Sequence, residues 1–424
     1  MLTSTLQRAL LPILAHSTAL HEPSMMKSAL SLAMAALTGT NLAESSTPTS
    51  SSSVTEYTLQ ADGITAKFIP YGARLTSLIV GDRHGHPTDV VVGYDDPSQY
   101  LVDTETDHTY FGAVVGRYAN RIKNGTFTVD GQTYHIPANE NVGRNTLHGG
   151  TIGYDQRNWT VLTHNESVIS FSLLDTAFEG FPGTVLTTAT YSVSTESSGP
   201  QGQQRPRLTT QLISIALDKS TPIMLSNHIY WNLNSFRQRT LLDDTSLWMP
   251  YSTRYIQTDG MLVPNGSIAT TSSTPALDFR SPRTFGDAIT QTENTNLCGT
   301  DCTGIDNALL LDRPTTNLSP VLSMWSHTTG IQLDLNTNQP SLQLYTCNTL
   351  NGSIPIKPSQ QQTNANLNSA AQTKYIQQFG CVAIEPQGYI DGINNPQWGE
   401  QNHEVFSPTT GPSVNHATYD FSVF

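Results

Sequence analysis

Ile331-Gln332-Leu333-Asp334-Leu335-Asn336 sets an apolar side chain at every second position and a polar one between. Successive side chains of a β-strand point to opposite faces, so a period of two describes a strand with one face buried and one in water. Ile169-Ser170-Phe171-Ser172-Leu173 repeats the pattern. Phe127 and Val129, then Asp130-Gly131, then Tyr134 and Ile136 read as a hairpin, because Asp-Gly tolerates the positive φ angles of a type I′ turn. Val185 to Val193 and Leu208 to Leu217 add longer strands. From Val54 onward no stretch carries a sustained helical period with caps, and strands do not alternate with helices, which disfavours a parallel α/β sheet. The expectation is an all-β, antiparallel chain with one domain over residues 55–424. Glu196 to Arg207 and Ile354 to Thr373, rich in Gln, Ser, Pro and Asn, read as surface insertions between strands.

The chain has 424 residues, only 13% of them charged, and a net charge of -13. Phosphate-backbone binding needs a clustered Lys/Arg surface, so nucleic acid is not an expected partner. Cys298, Cys302, Cys347 and Cys381 are too few and too unevenly spaced for a disulfide scaffold or a paired Cys-x-x-Cys zinc site. At most two bridges are possible, and their pairing is not legible.

Residues 1–54 differ from the rest. Met26-Lys27, the apolar run Ala29 to Leu37 and then Asn41-Leu42-Ala43 fit a secretory signal, and the run is too short to span a bilayer. Met1 and Met26 both stand as possible starts. Residues 45–53, almost all Ser, Thr and Pro, read as a flexible linker. Six Asn-x-Ser/Thr sequons, at Asn124, Asn158, Asn165, Asn265, Asn317 and Asn351, are compatible with a secreted glycoprotein. Secretion is the expectation, with a cytoplasmic location as the alternative and no membrane insertion of the mature domain.

Chemistry gathers in six short segments: Gly116-Arg117-Tyr118-Ala119-Asn120-Arg121-Ile122, Asn145-Thr146-Leu147-His148-Gly149-Gly150, Asn227-His228-Ile229-Tyr230-Trp231-Asn232-Leu233, Gly304-Ile305-Asp306-Asn307-Ala308, Gln343-Leu344-Tyr345-Thr346 and Ile384-Glu385-Pro386-Gln387. Glu385 ends an apolar run, where partial desolvation raises a carboxyl toward a useful base. His228 adjoins an apolar, aromatic stretch. His148 precedes two glycines, which permit close approach of a ligand to the backbone. Arg121 offers a planar donor fork suited to hydroxyls, and Asp306 and Gln343 are polar groups beside apolar runs. Each has an ordinary explanation when taken alone: a rim carboxylate, a core histidine, a turn histidine, a surface ion pair.

Taken jointly, in order and rough spacing, these segments make the chain resemble the aldose 1-epimerases, also called galactose mutarotases, from about Glu56 to Phe424. Tyr71-Gly72-Ala73 with Leu75, Asp89 to Tyr94, and Asp391-Gly392-Ile393-Asn394 extend the resemblance. It implies a large antiparallel β-sandwich whose concave face holds a small-molecule sugar, with no cofactor and no metal, working as a monomer or weak dimer. It further implies that Glu385 is the general base on the C1 hydroxyl and His228 the general acid on the ring oxygen. Asn120, Arg121, His148, Tyr230, Asp306 and Gln343 would hold the sugar. Trp231, Cys347 and Pro386 depart from the residues usual at their positions, and the leader and the two polar segments have no counterpart in short bacterial members.

Other readings remain. A hexose-6-phosphate 1-epimerase would want basic residues beside the motifs, and the chain has 21 Lys and Arg in all. A glycoside hydrolase would pair Asp306 with Glu385 and leave His228 idle. A non-catalytic sugar binder would stack rings on Trp231 and Tyr345. His84-Gly85-His86 sits in a Gly/Pro/Asp turn with no neighbouring ligand cluster, so it is not read as a metal site. No Gly-x-Ser-x-Gly elbow or Gly-x-Gly-x-x-Gly loop is present, which sets aside serine hydrolases and dinucleotide enzymes.

Overall fold

The alternating segments do form strands, and all the strand pairs in the sheets are antiparallel. The computed structural model describes residues 54–198, 203–314, 319–367 and 373–424. Apart from Val54, the leader and linker of residues 1–54 lie outside the described residues, as does the sequon at Asn317.

Two large sheets make the sandwich. Nine strands lie in the order Thr160–His164, Val168–Thr176, Thr184–Ser198, Gln203–Ala216, Ser413–Val423, Ile331–Thr337, Leu322–Ser326, Thr245–Trp248, Arg283–Thr284. Six form the facing sheet: Tyr230–Trp231, Val382–Gln387, Ser341–Tyr345, Asp306–Leu310, Arg254–Thr258, Pro264–Thr270. Leu333, Leu335, Tyr419 and Phe421 from the first share one apolar cluster with Trp231, Leu342, Leu344 and Ile384 from the second. The Trp231 ring lies 5.1 Å from Tyr419 and 6.1 Å from Phe421, joining the layers. A four-stranded sheet from Tyr57 to Asp89 packs on the same core through Leu59, Ala66 and Phe68. The Asp130-Gly131 hairpin is present between Thr126–Val129 and Gln132–His135, and both turn residues have positive φ, 51° and 75°.

Two readings need correction. The described parts of Glu196 to Arg207 are not an insertion between strands: residues 196–198 and 203–207 extend the ladder of the longest hairpin to the pair Ser198 and Gln203. Their polarity reports two wet faces, while the backbone bonds of a ladder do not depend on side-chain type. Ile354 to Thr373 is not merely a surface segment either. Ile354 and Ile356 enter an apolar cluster, Lys357 is buried against Asp89, and a short helix, Pro358–Asn366, buries Gln360 and Asn364. Helices such as this and Gln99–Glu105 are too short to show a sustained period.

Candidate active site

Register in the six-stranded sheet assembles one side of the site. Gln343 pairs directly with Glu385, Tyr230 with Ala383, and Asp306 with Tyr345. Residues paired across a ladder, or two apart along a strand, share a face. Tyr230, Glu385, Gln343 and Asp306 therefore project from one face across four adjacent strands. Their neighbours Trp231, Ile384, Leu344 and Leu309 turn into the sandwich core. The period of two thus does both jobs, sealing the sandwich on one side and presenting polar groups on the other.

The opposite wall comes from the first two motifs. Arg121–Lys123 pairs with Asn145–Leu147, and the next rung brings Asn120 opposite His148. Both have left-handed backbones, φ 57° and 50°. They bond reciprocally: the His148 N–H donates to the Asn120 carbonyl at 2.9 Å, and the Asn120 N–H donates to His148 Nδ1 at 3.1 Å. An Nδ1 that accepts a backbone proton leaves the neutral ring's own proton on Nε2, where it is a donor to the cavity. The glycines after His148 serve the chain itself and not a ligand: a Cβ on Gly149 would lie 2.1 Å from the Gly116 carbonyl oxygen.

All eight residues singled out from the sequence line one cavity of about 390 Å³. Gln343 Nε2 donates to Asp306 Oδ1 at 2.5 Å, and Asp306 Oδ2 is 3.7 Å from Arg121. Most of the Arg121 fork is already taken: Nε and Nη2 donate to the Glu140 carboxylate at 2.7 to 3.0 Å, which leaves only part of it for hydroxyls. Burial works against the guanidinium's charge, yet Glu140 and Asp306 beside it hold its pKa above the ordinary value. Asn227, just before His228, accepts from the Tyr191 hydroxyl at 2.8 Å, and His228 itself is held through its backbone by Ala113 and Gly112.

His228 Nε2 lies 3.4 Å from Glu385 Oε1. The two residues are 5% and 2% exposed, so water screens them little. Burial pushes the His228 pKa down to about 3. Burial, with Asp306 adding to it and Arg121 opposing, raises the Glu385 carboxyl well above the usual range. His148 is lowered by burial and by His228 beside it. The Tyr110 ring stacks 5.6 Å from His228 and stands 4.7 Å from His148, closing the aromatic side of the cavity.

This constellation can be set against known proteins. A sequence profile described as aldose 1-epimerase matches residues 55–406. A probable aldose 1-epimerase of Arthroderma benhamiae is 47% identical over 386 residues, covering 88% of this chain and 87% of that one. The chain belongs to the aldose 1-epimerase family. A galactose mutarotase of Sus scrofa is 31% identical, covering 88% of this chain and 95% of its own. Among solved structures, a GalM/aldose epimerase homologue from C. elegans superposes with a TM-score of 0.71 at 26% identity, covering 87% of this chain and 99% of that one. The enzyme is therefore an isomerase of this family, on the antiparallel sandwich expected of it.

The donor atoms of His148, His228 and Glu385 lie within 4.8 Å of one another, a spacing that also suits a metal ion. His148 fits such a role poorly, because its cavity-facing nitrogen carries the proton and has no lone pair to give. His84-Gly85-His86 is instead a turn organised by Asp82, which accepts from the backbone N–H groups of both histidines. The stacking-platform reading of Trp231 fails, since its side chain is fully buried on the core face. Sequence reasoning missed Glu140, His108 and Tyr110, all of which line the cavity. An acid on the loop just before the His148 motif was the one available signal for Glu140; its pairing with Arg121 joins positions 19 apart and has no period to betray it.

Proposed function

We propose that this enzyme interconverts the α and β anomers of a free aldohexose, glucose or galactose, by acid-base opening and reclosure of the ring. The observation that carries the reading is the buried carboxyl and imidazole facing each other at 3.4 Å in a polar cavity. Glu385, as carboxylate, takes the proton from the C1 hydroxyl. His228, as imidazolium, gives one to the ring oxygen as the C1–O5 bond breaks. The aldehyde turns about C1–C2, and closure from its other face runs the transfers backward. One proton enters and leaves the pair in each half-reaction, so the two tautomers, carboxylate with imidazolium and carboxyl with imidazole, serve the ring and the open chain in turn. Asn120, Arg121, His148, Tyr230, Asp306 and Gln343 hold the hydroxyls. The family relatives named galactose mutarotase support galactose among the substrates.

Polarimetry of freshly dissolved α-D-glucose and α-D-galactose tests this. Glu385→Gln and His228→Asn are each expected to lose on the order of 10²- to 10⁴-fold in rate with the circular dichroism spectrum unchanged. A wild-type protein no faster than buffer on any aldose would sink the reading.

We also propose that the chain matures in an oxidising, extracellular route. Two disulfides, Cys298–Cys302 and Cys347–Cys381, support it, as do the exposed side chains of the sequon asparagines Asn124, Asn158, Asn165, Asn265 and Asn351.

A further inference from the structure

Among the described residues, four acidic side chains line the cavity, Asp107, Glu140, Asp306 and Glu385, against one guanidinium, Arg121, and no lysine. A lone arginine in a buried pocket would ordinarily be a bidentate seat for a phosphate or carboxylate. Here that seat is filled. Glu140 takes Nε and Nη2 together, Nη2 also faces Asp306, and Nη1 donates to Asn120 Oδ1 at 3.3 Å. Glu140 is itself fixed from behind by Asn145 Nδ2, which donates to its Oε2 at 3.2 Å, and Asn145 is fully buried. Its side chain is only 18% exposed, so its charge reaches the cavity with little screening.

We propose that Glu140 is a specificity-determining residue: by occupying the Arg121 fork it denies that guanidinium to anionic sugars and restricts the enzyme to neutral aldoses. The proposal rests on the mutarotase reading of this cavity. It assigns no proton transfer to Glu140. A phosphate monoester carries about two negative charges at neutral pH, and a uronate one. Either would meet Asp107, Glu140 and Asp306 with no free guanidinium or lysine among the described lining residues to receive it, and like charges brought together in a poorly screened site repel strongly. A neutral hydroxyl meets no such barrier and can accept from what remains of the fork or donate to the carboxylates.

The experiment compares mutarotation of D-glucose, D-glucose 6-phosphate and D-glucuronate by the wild-type enzyme and by Glu140→Gln, at one salt concentration and one pH. The wild type is expected to show kcat/KM for both anions at least about tenfold below that for glucose. Glu140→Gln keeps an acceptor for Arg121 but removes the charge, and it is expected to close most of that gap by raising the values for the anions. Equal wild-type activity on glucose and its 6-phosphate overturns the assignment. So does a Glu140→Gln enzyme that loses activity on all three sugars in the same proportion, since that marks a residue which only holds Arg121 in place. Should the variant fail to fold, the wild-type comparison still decides, because a gap of less than about tenfold for both anions overturns the assignment. A wild type inert on all three sugars overturns the mutarotase reading itself, and this assignment with it.

Discussion

His228 and Glu385 are best treated as one titrating unit, because groups this close share their protons. With His228 pushed down to about 3 and Glu385 raised by burial, the pair keeps one proton over a wide span of pH. That singly protonated state is the one from which either half-reaction starts. kcat/KM for glucose is therefore expected to stay level from about pH 7 down through about pH 5, where a histidine of ordinary pKa would already have gained its charge. It should fall on the alkaline side as the second proton leaves. An acid limb centred near the ordinary histidine value would show that the unit is not coupled in this way. The identities of both residues were legible in their motifs. Their burial and their mutual distance were not, since His228, between the strands Ser226–Asn227 and Tyr230–Trp231, is far in the chain from Glu385 on Val382–Gln387.

Strands, more than loops, position the proposed sugar-holding groups. The ladder that pairs Gln343 with Glu385 ends at Tyr345 and Ala383, and the disulfide between Cys347 and Cys381, two positions further on in each chain segment, clamps its end. The same bridge closes the segment carrying Asn348 to Ile354, which forms part of the cavity wall. A closed loop with a sequence separation of 34 removes unfolded-chain entropy worth roughly 3 to 4 kcal/mol. The double variant Cys347→Ser, Cys381→Ser is expected to lose about that much in urea unfolding. Its KM for glucose should rise more than its kcat falls, because the ladder still aligns Glu385 while the wall loosens. An unchanged unfolding midpoint would show that the bridge constrains nothing. Sequence alone could count two possible bridges but not pair them. The pairing follows from strand register, and register depends on which faces are buried.

Two sheets sharing one apolar core give the molecule a rigid frame, with the pocket on the outer face of the smaller sheet. Over the whole surface, the route of maturation has its own test. Protein recovered from its native host is expected to lose mass on treatment with an N-glycosidase, to show no free thiol when unfolded without reductant, and to begin beyond the apolar run Ala29 to Leu37. A full-length, unglycosylated chain with free thiols would refute the extracellular route. The sequence by itself determined the all-β, antiparallel class and the chemistry-bearing residues, because a period of two and local motifs are properties of neighbouring positions. It also carried the family. Only the tertiary structure decided that Glu140 occupies the Arg121 fork, that Trp231 faces the core, and that Ile354, Ile356 and Lys357 are packed into the fold. Those facts depend on burial and on contacts between residues distant in the chain, where periodicity is silent and desolvation sets both geometry and charge.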